Sequence, residues 1–236
     1  MTCQIPYRIE KSRNRTSRAI LRDGAILIRL ARGLSGFEEQ KHIDNLLRRM
    51  TKAAVKEGQR TVIDPFRAIL DGAMQADVTL AAGTVIRLHI VESHAKRTKA
   101  MRHGSAWVIR KSSHTDTRTF HRFLWKLVSM HAAKEVELLV RQINDETFRE
   151  DVRSVKLKFL RSRWGSCSLG RHITLATPLL FTTPAILRYV IIHELAHILH
   201  HDHSRRFWAA VETHDPDFRV SLKALKLMRL PSLRGD

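Results

Sequence analysis

Cysteine is almost absent from this 236-residue chain, which holds only Cys3 and Cys167. Neither belongs to a C-x-x-C pair, and two cysteines make no disulfide framework, which excludes a stapled secreted scaffold and points to a reducing, cytoplasmic setting. No run of about 18 apolar residues occurs, so no transmembrane helix and no membrane partner are expected. Residues 1–18 are polar and basic without an apolar core, so no signal peptide is expected either. Internal repeats and low-complexity tracts are missing. Acids are scarce beside bases: 23 Asp and Glu face 42 Lys and Arg, a formal net charge of +19.

What is present is an ordinary globular composition, 43% hydrophobic and 28% charged, long enough for one large domain or two small ones. The basic excess is spread along the chain. From residue 148 onward 15 bases and 8 acids give +7, which leaves +12 before that point. Such a balance favours contact with DNA, RNA or another polyanion. The plainer reading is a generally basic, solvated surface.

The elements divide into a β-rich N-terminal region with one helix, expected over 1–115, and a second domain over 116–236 that opens on a long helix, 116–146. Tyr7 to Glu10, Arg18 to Arg22 and Ala25 to Leu30 read as strands, the last two joined by an Asp23-Gly24 turn. Ser35 and Glu38 form a capping box for a helix reaching about Glu57. Val78 to Leu80, Val85 to Val91 and Ala106 to Arg110 read as strands, and His94 to Arg102 as a basic, solvated loop. The long helix carries Phe120, Phe123, Leu124, Leu127, His131, Leu138 and Ile143 on an approximate stripe, with His131 a core or boundary residue. Val152 to Leu160 and Ile173 to Ala176 read as two further strands.

The chemistry is concentrated in the next helix. Thr183 can cap it and Pro184 suits its first position. Ile186, Leu187, Val190, Ile191, Leu195 and Ile198 make it apolar, yet it carries His193, Glu194 and His197. Residues four apart on a helix lie about 40° apart around the axis and roughly 6 Å along it. Two imidazoles so placed converge on one ion, and Glu194, about 100° round from His193, reaches a water beside that ion without ligating it. A buried carboxylate with no such partner would be costly. His203 is the favoured third ligand. Continuous helix would turn it about 240° from His197, so the helix must stop near His201 or Asp202 and the chain must fold back. Ser204 then caps a helix from Arg205 to Glu212. Glu212 is the rival third ligand, whereas His200 and His201 lie too close to His197 to converge with it. The expected cofactor is one zinc ion, with a water in the fourth position and Glu194 as general base.

The stretch Ser162-Arg163-Trp164-Gly165-Ser166-Cys167-Ser168, then Ile173-Thr174-Leu175, His193-Glu194-Leu195-Ala196-His197 and His203-Ser204-Arg205-Arg206-Phe207-Trp208, resembles the YgjP-like metallopeptidases, relatives of the SprT and WLM metalloproteases. The clear match covers about 153–220, and the arginine-rich stretch from Tyr7 to Leu34 is similar to that family's N-terminal region. The resemblance implies an α+β, zincin-like core in which the active-site helix packs on a small sheet. It also implies His193, His197 and His203 as zinc ligands, Glu194 as the catalytic residue, and peptide or protein substrates. Arg163, Trp164, Ile173, Thr174 and Leu175 become candidate substrate contacts, with a peptide extended along the edge of the Ile173–Ala176 strand. Two departures stand out: Asp202 where the family often has Asn, and Ala176-Thr177 where Asn-Trp is common. Two other functions fit the same residues. One is a nucleic-acid-associated protein with a structural or vestigial metal site; the other is a metal hydrolase of non-peptide amides or esters.

Overall fold

The computed structural model describes residues 5–22, 25–58, 60–104, 106–160 and 162–233. The chain forms two compact units, Met1–Arg60 and Thr61–Asp236.

In the first unit, strands β1 (Tyr7–Lys11), β2 (Arg18–Arg22) and β3 (Ala25–Leu30) precede helix α1 (Gly36–Gly58). The central strand β3 runs parallel to β1 and antiparallel to β2. Its alternation buries Ile26, Ile28 and Leu30 in a cluster with Ile43, Leu46, Leu47 and Met50 of α1. The capping box forms as the sequence predicts: the Ser35 N–H donates to Glu38 Oε2 at 2.8 Å and the Glu38 N–H to Ser35 Oγ at 3.3 Å. The Asp23-Gly24 turn lies outside the described residues.

The second unit begins with β4 (Thr61–Val62), the single turn α2 (Arg67–Leu70), and strands β5 (Gln75–Thr79), β6 (Val85–Ser93), β7 (Lys99–His103) and β8 (Ala106–Ser112). These last four make a sheet in the order β5-β6-β8-β7. The segment expected as a loop to Arg102 is therefore strand from Lys99 onward. As an edge strand, β7 leaves four of its five residues exposed, and so its sequence imitates a solvated loop. Helix α3 (Thr117–Glu146) follows, capped by Asp116, whose Oδ1 accepts from the Thr119 N–H at 2.8 Å. The domain boundary expected at residue 116 thus falls at this cap, inside the second unit. Sheet and helices here share one core, in which Leu88 and Ile109 join Leu124, Val128, Leu175 and Leu195. Fully buried Trp125 centres an aromatic cluster, 4.9 Å from Phe66, 5.2 Å from Phe159 and 5.6 Å from Phe181.

A smaller sheet completes the frame of the site. Strands β9 (Ser154–Lys158), β10 (Gly165–Cys167) and β11 (His172–Ala176) lie in the order β10-β11-β9. A 3-10 turn (Thr177–Phe181) leads to α4 (Pro184–Leu199), α5 (Arg205–His214), α6 (Phe218–Lys226) and β12 (Met228–Arg229), which pairs with β4. This is the expected α+β arrangement: α4, apolar on nearly every side and buried accordingly, packs against β10 and β11 of the small sheet and against α3, α5 and α6. Among the described residues no helix is long and apolar enough to cross a membrane.

Candidate metal centre

The position of α4 is fixed at both ends. Thr183 caps its start by accepting the Ile186 N–H at 3.3 Å, and Pro184 occupies the first turn. At the other end His200 turns extended, with φ −132° and ψ 103°. The Ser204 N–H donates to Asp202 Oδ1 at 3.3 Å in the turn that follows, and Ser204 starts α5. The helix stops where the geometry of a third ligand requires, and the chain folds back.

This reversal brings His203 beside the two helical histidines. One nitrogen from each of His193, His197 and His203 lies within 4.8 Å of the other two. His193 Nε2 and His203 Nε2 are 3.2 Å apart. Metal–nitrogen bonds of about 2.0–2.1 Å in a tetrahedron separate two ligand nitrogens by roughly 3.3 Å, so this spacing suits one shared ion. His197 Nδ1 lies 3.0 Å from the His200 carbonyl oxygen. A carbonyl only accepts, so Nδ1 carries the hydrogen and Nε2 keeps its lone pair for a metal. Burial, aided by the charges of His197 and His203, pushes the His193 pKa down to about 3, and burial also lowers that of His197. Both rings are therefore neutral at neutral pH, the state in which imidazole ligates.

Glu194 is 4% exposed, and burial raises its pKa to about 8 against the opposing charge of Arg163. Its Oε2 is buried with no hydrogen-bond partner among the described residues. An oxygen held this way lacks a hydrogen-bond donor, and a cation at the three imidazoles would compensate it. Opposite it stands Gly165 of β10. A Cβ on that residue would fall 2.5 Å from Glu194 Oε1 and 2.8 Å from its Cδ and Cγ. The absent side chain is the space the carboxylate occupies, a long-range contact that no local sequence pattern announces.

The histidines and Glu194 open into a cleft of about 530 Å³, walled by Gly165, Ser166 and Cys167 of β10 and completed by Arg163, Leu169 and His201. Burial pushes the Cys167 thiol up to about 11, so it is no thiolate nucleophile at neutral pH. Of the expected substrate contacts, only Arg163 lines this cleft. Trp164 packs on the core, and Ile173 and Leu175 are fully buried. Thr174, with them, lies on β11, whose two edges are taken by β10 and β9. The edge expected of the Ile173–Ala176 strand is therefore not available to a substrate: β11 is the central strand, and the terminal strand beside the cleft is β10. Glu212, the rival ligand, is ion-paired with Arg219 at 2.6 Å and lies outside the histidine group.

Beneath the three rings lies Phe207 of α5, fully buried, with its centroid 4.9 Å from His193, 4.5 Å from His197 and 4.8 Å from His203. Truncating it removes the surface on which all three rest. Phe207→Ala is expected to destabilise the protein by about 3–5 kcal/mol in denaturant unfolding and to weaken metal retention on dialysis. Equal stability with unchanged metal content would show that Phe207 merely fills space.

A family model described as the YgjP-like metallopeptidase domain matches residues 14–228. The chain belongs to the YgjP-like metallopeptidase family. Among solved structures, this YgjP-like chain is similar to the crystal structure of the metallopeptidase zymogen of Pyrococcus abyssi abylysin, at 23% identity and a TM-score of 0.34, over 41% of the present chain and 99% of the other. No curated protein matches the chain. In this YgjP-like metallopeptidase, the histidine cluster lies inside the span the family model covers.

Proposed function

We propose that the protein is a zinc-dependent endopeptidase in which His193, His197 and His203 hold one zinc ion and Glu194 is the general base. The observation that carries the proposal is the convergence of three imidazole nitrogens within 4.8 Å, next to a buried carboxylate, in a metallopeptidase family. The three imidazole ligands favour zinc over harder cations, which prefer oxygen ligands. Bound there, zinc would lower the pKa of a water toward about 7 and polarise the scissile carbonyl. Glu194 takes the proton from the attacking water and passes it to the leaving amine. Its raised pKa suits both halves of that transfer once a nearby cation draws it back toward neutrality. Arg163 lines the cleft close enough to perturb Glu194, which supports a role for it in contacting the substrate as negative charge develops on the carbonyl oxygen.

The substrate lies extended along β10. Gly165, Ser166 and Cys167 form the cleft wall and belong to the terminal strand of their sheet, so a peptide can add to it by main-chain hydrogen bonds. This makes the chain's preference one for unfolded or locally extended segments.

The test combines elemental analysis of the purified protein with cleavage of an unfolded protein substrate. Close to one zinc per chain is expected. Chelation is expected to reduce cleavage by roughly 100-fold or more, and stoichiometric zinc to restore it. Full activity after complete metal removal would end the proposal. A zinc-loaded protein that cleaves no polypeptide would instead favour a vestigial site or a non-peptide amide substrate.

A further inference from the structure

Charge in the first unit is not evenly distributed. Residues 36–58, which make α1, hold five Lys and Arg against four acids, whereas residues 5–32 hold eight against Glu10 and Asp23. The excess therefore belongs to the strands and the loop between β1 and β2, and seven of those eight cations are arginines. A generally basic composition would not separate the two sides of a 60-residue unit in this way.

Strand register places three of these arginines, Arg8, Arg18 and Arg29, on one face. Ile26, Ile28 and Leu30 point toward α1, so Leu27 and Arg29 face the opposite way, together with their cross-strand neighbours. Those neighbours are Arg8 and Ile20 beside Leu27, and Glu10 and Arg18 beside Arg29. Arg18 and Arg29 stand directly opposite each other, a like-charge pair that costs stability. Glu10 answers only Arg29, at 3.1 Å. Ile20 is 42% exposed, so the face is open to solvent.

At the same end of the sheet the β1–β2 loop carries Arg13 and Arg15, both exposed. The loop is fastened to the frame. The Ser12 N–H and hydroxyl both donate to the Leu30 carbonyl at 3.0 and 2.9 Å, the Arg32 N–H donates to the Asn14 carbonyl at 3.2 Å, and the Ala31 N–H to Ser17 Oγ at 3.0 Å. Among the described residues, Arg8, Arg13, Arg15 and Arg18 have no ion-pair partner. Four guanidinium groups are thus presented with no ion-pair partner among the described residues.

We infer that this face of the first unit, with its Arg13–Arg15 loop, docks on the phosphate backbone of double-helical nucleic acid. Guanidinium forks pair bidentately with phosphate oxygens, and a duplex carries one negative charge per about 1.7 Å of axis, dense enough to neutralise clustered cations at once. The face has no aromatic ring, since Tyr7 shares the register of Ile26 on the α1 side, so it lacks a stacking platform for unpaired bases. Its contacts read charge and not sequence.

The test uses the full chain and a labelled blunt DNA duplex, titrated at several salt concentrations, with an RNA duplex of equal length to tell the two duplex sources apart. Arg13→Gln/Arg15→Gln is expected to weaken binding roughly tenfold or more and to make the log–log salt slope about 2 less steep. Lys96→Gln/Arg97→Gln, in the second unit, is expected to change neither. A preference for single strands, an equal loss in the Lys96/Arg97 variant, an unchanged Arg13/Arg15 variant, or displacement by poly-glutamate or anionic vesicles at matched charge would each overturn the inference. Binding is read without hydrolysis, so the outcome is independent of the peptidase reading, and peptide cleavage by the Arg13/Arg15 variant is expected to match that of the parent.

Discussion

Glu194→Gln is expected to leave the protein folded and metal-loaded while hydrolysis falls by roughly 100-fold or more. Glutamine keeps the size of the side chain and its packing against Gly165 but cannot accept the water's proton. The three imidazoles are untouched, so zinc content measured beside activity separates lost chemistry from lost metal. The same variant carries a pH signature in metal-free protein. Burial lifts the folded pKa of Glu194 to about 8 from an ordinary 4.5. The folded state then binds the extra proton more tightly than the unfolded chain, so stability falls as pH rises across that interval and is fully present below it. A glutamine at this position has no proton to lose. Thermal unfolding in chelator is therefore expected to show Glu194→Gln more stable than the parent at about pH 8 and no more stable at about pH 4. Full activity of the zinc-loaded variant would remove Glu194 from the mechanism.

Gly165→Ala is expected to lower cleavage by on the order of 100-fold with zinc content and fold retained. A methyl group placed 2.5 Å from Oε1 and 2.8 Å from Cδ and Cγ overlaps the carboxylate, and Glu194 must swing away from its present position. Displacing a proton-transfer group by about 1 Å costs this much even when the group itself is intact. The three atoms nearest such a Cβ all belong to Glu194 and none to a histidine, so the metal is expected to stay. The pair of measurements discriminates: loss of both zinc and activity would indicate general damage, and activity within about twofold would show that the carboxylate is not confined by β10.

Much of the fold and site is legible in the sequence because the signals are local. Thr183-Pro184, Ser35 with Glu38, and Ser204 announce helix starts through side chains that act within one turn, and Thr183, Ser35 and Ser204 each cap a helix. The 3.6-residue periodicity also places His193, Glu194 and His197 on one helix, and the six-residue gap to His203 demands the chain reversal that follows Leu199. Strand order is not legible. β10 is three residues long and begins with glycine, below what alternation can register, and without it the sequence grants β11 an edge that the sheet does not. β7 reads as loop because Lys99, Arg102 and His103 are what an edge strand shows to water. Gly165 and Phe207 escape notice as site residues because their importance arises from neighbours 29 positions away in Glu194 and from 4 to 14 positions away in the histidines, distances that only the folded chain closes.

The bend after Leu199 does two jobs through the same few residues. Its backbone carbonyl at His200 holds the His197 ring in one tautomer, and its span delivers His203 to the cluster. Residues 198–202 therefore have no freedom in length: inserting or deleting one amino acid there would release one ring and rotate another out of reach in a single event. Variation in this chain's relatives should accordingly be tolerated there as exchange of side chains and never as a change of spacing.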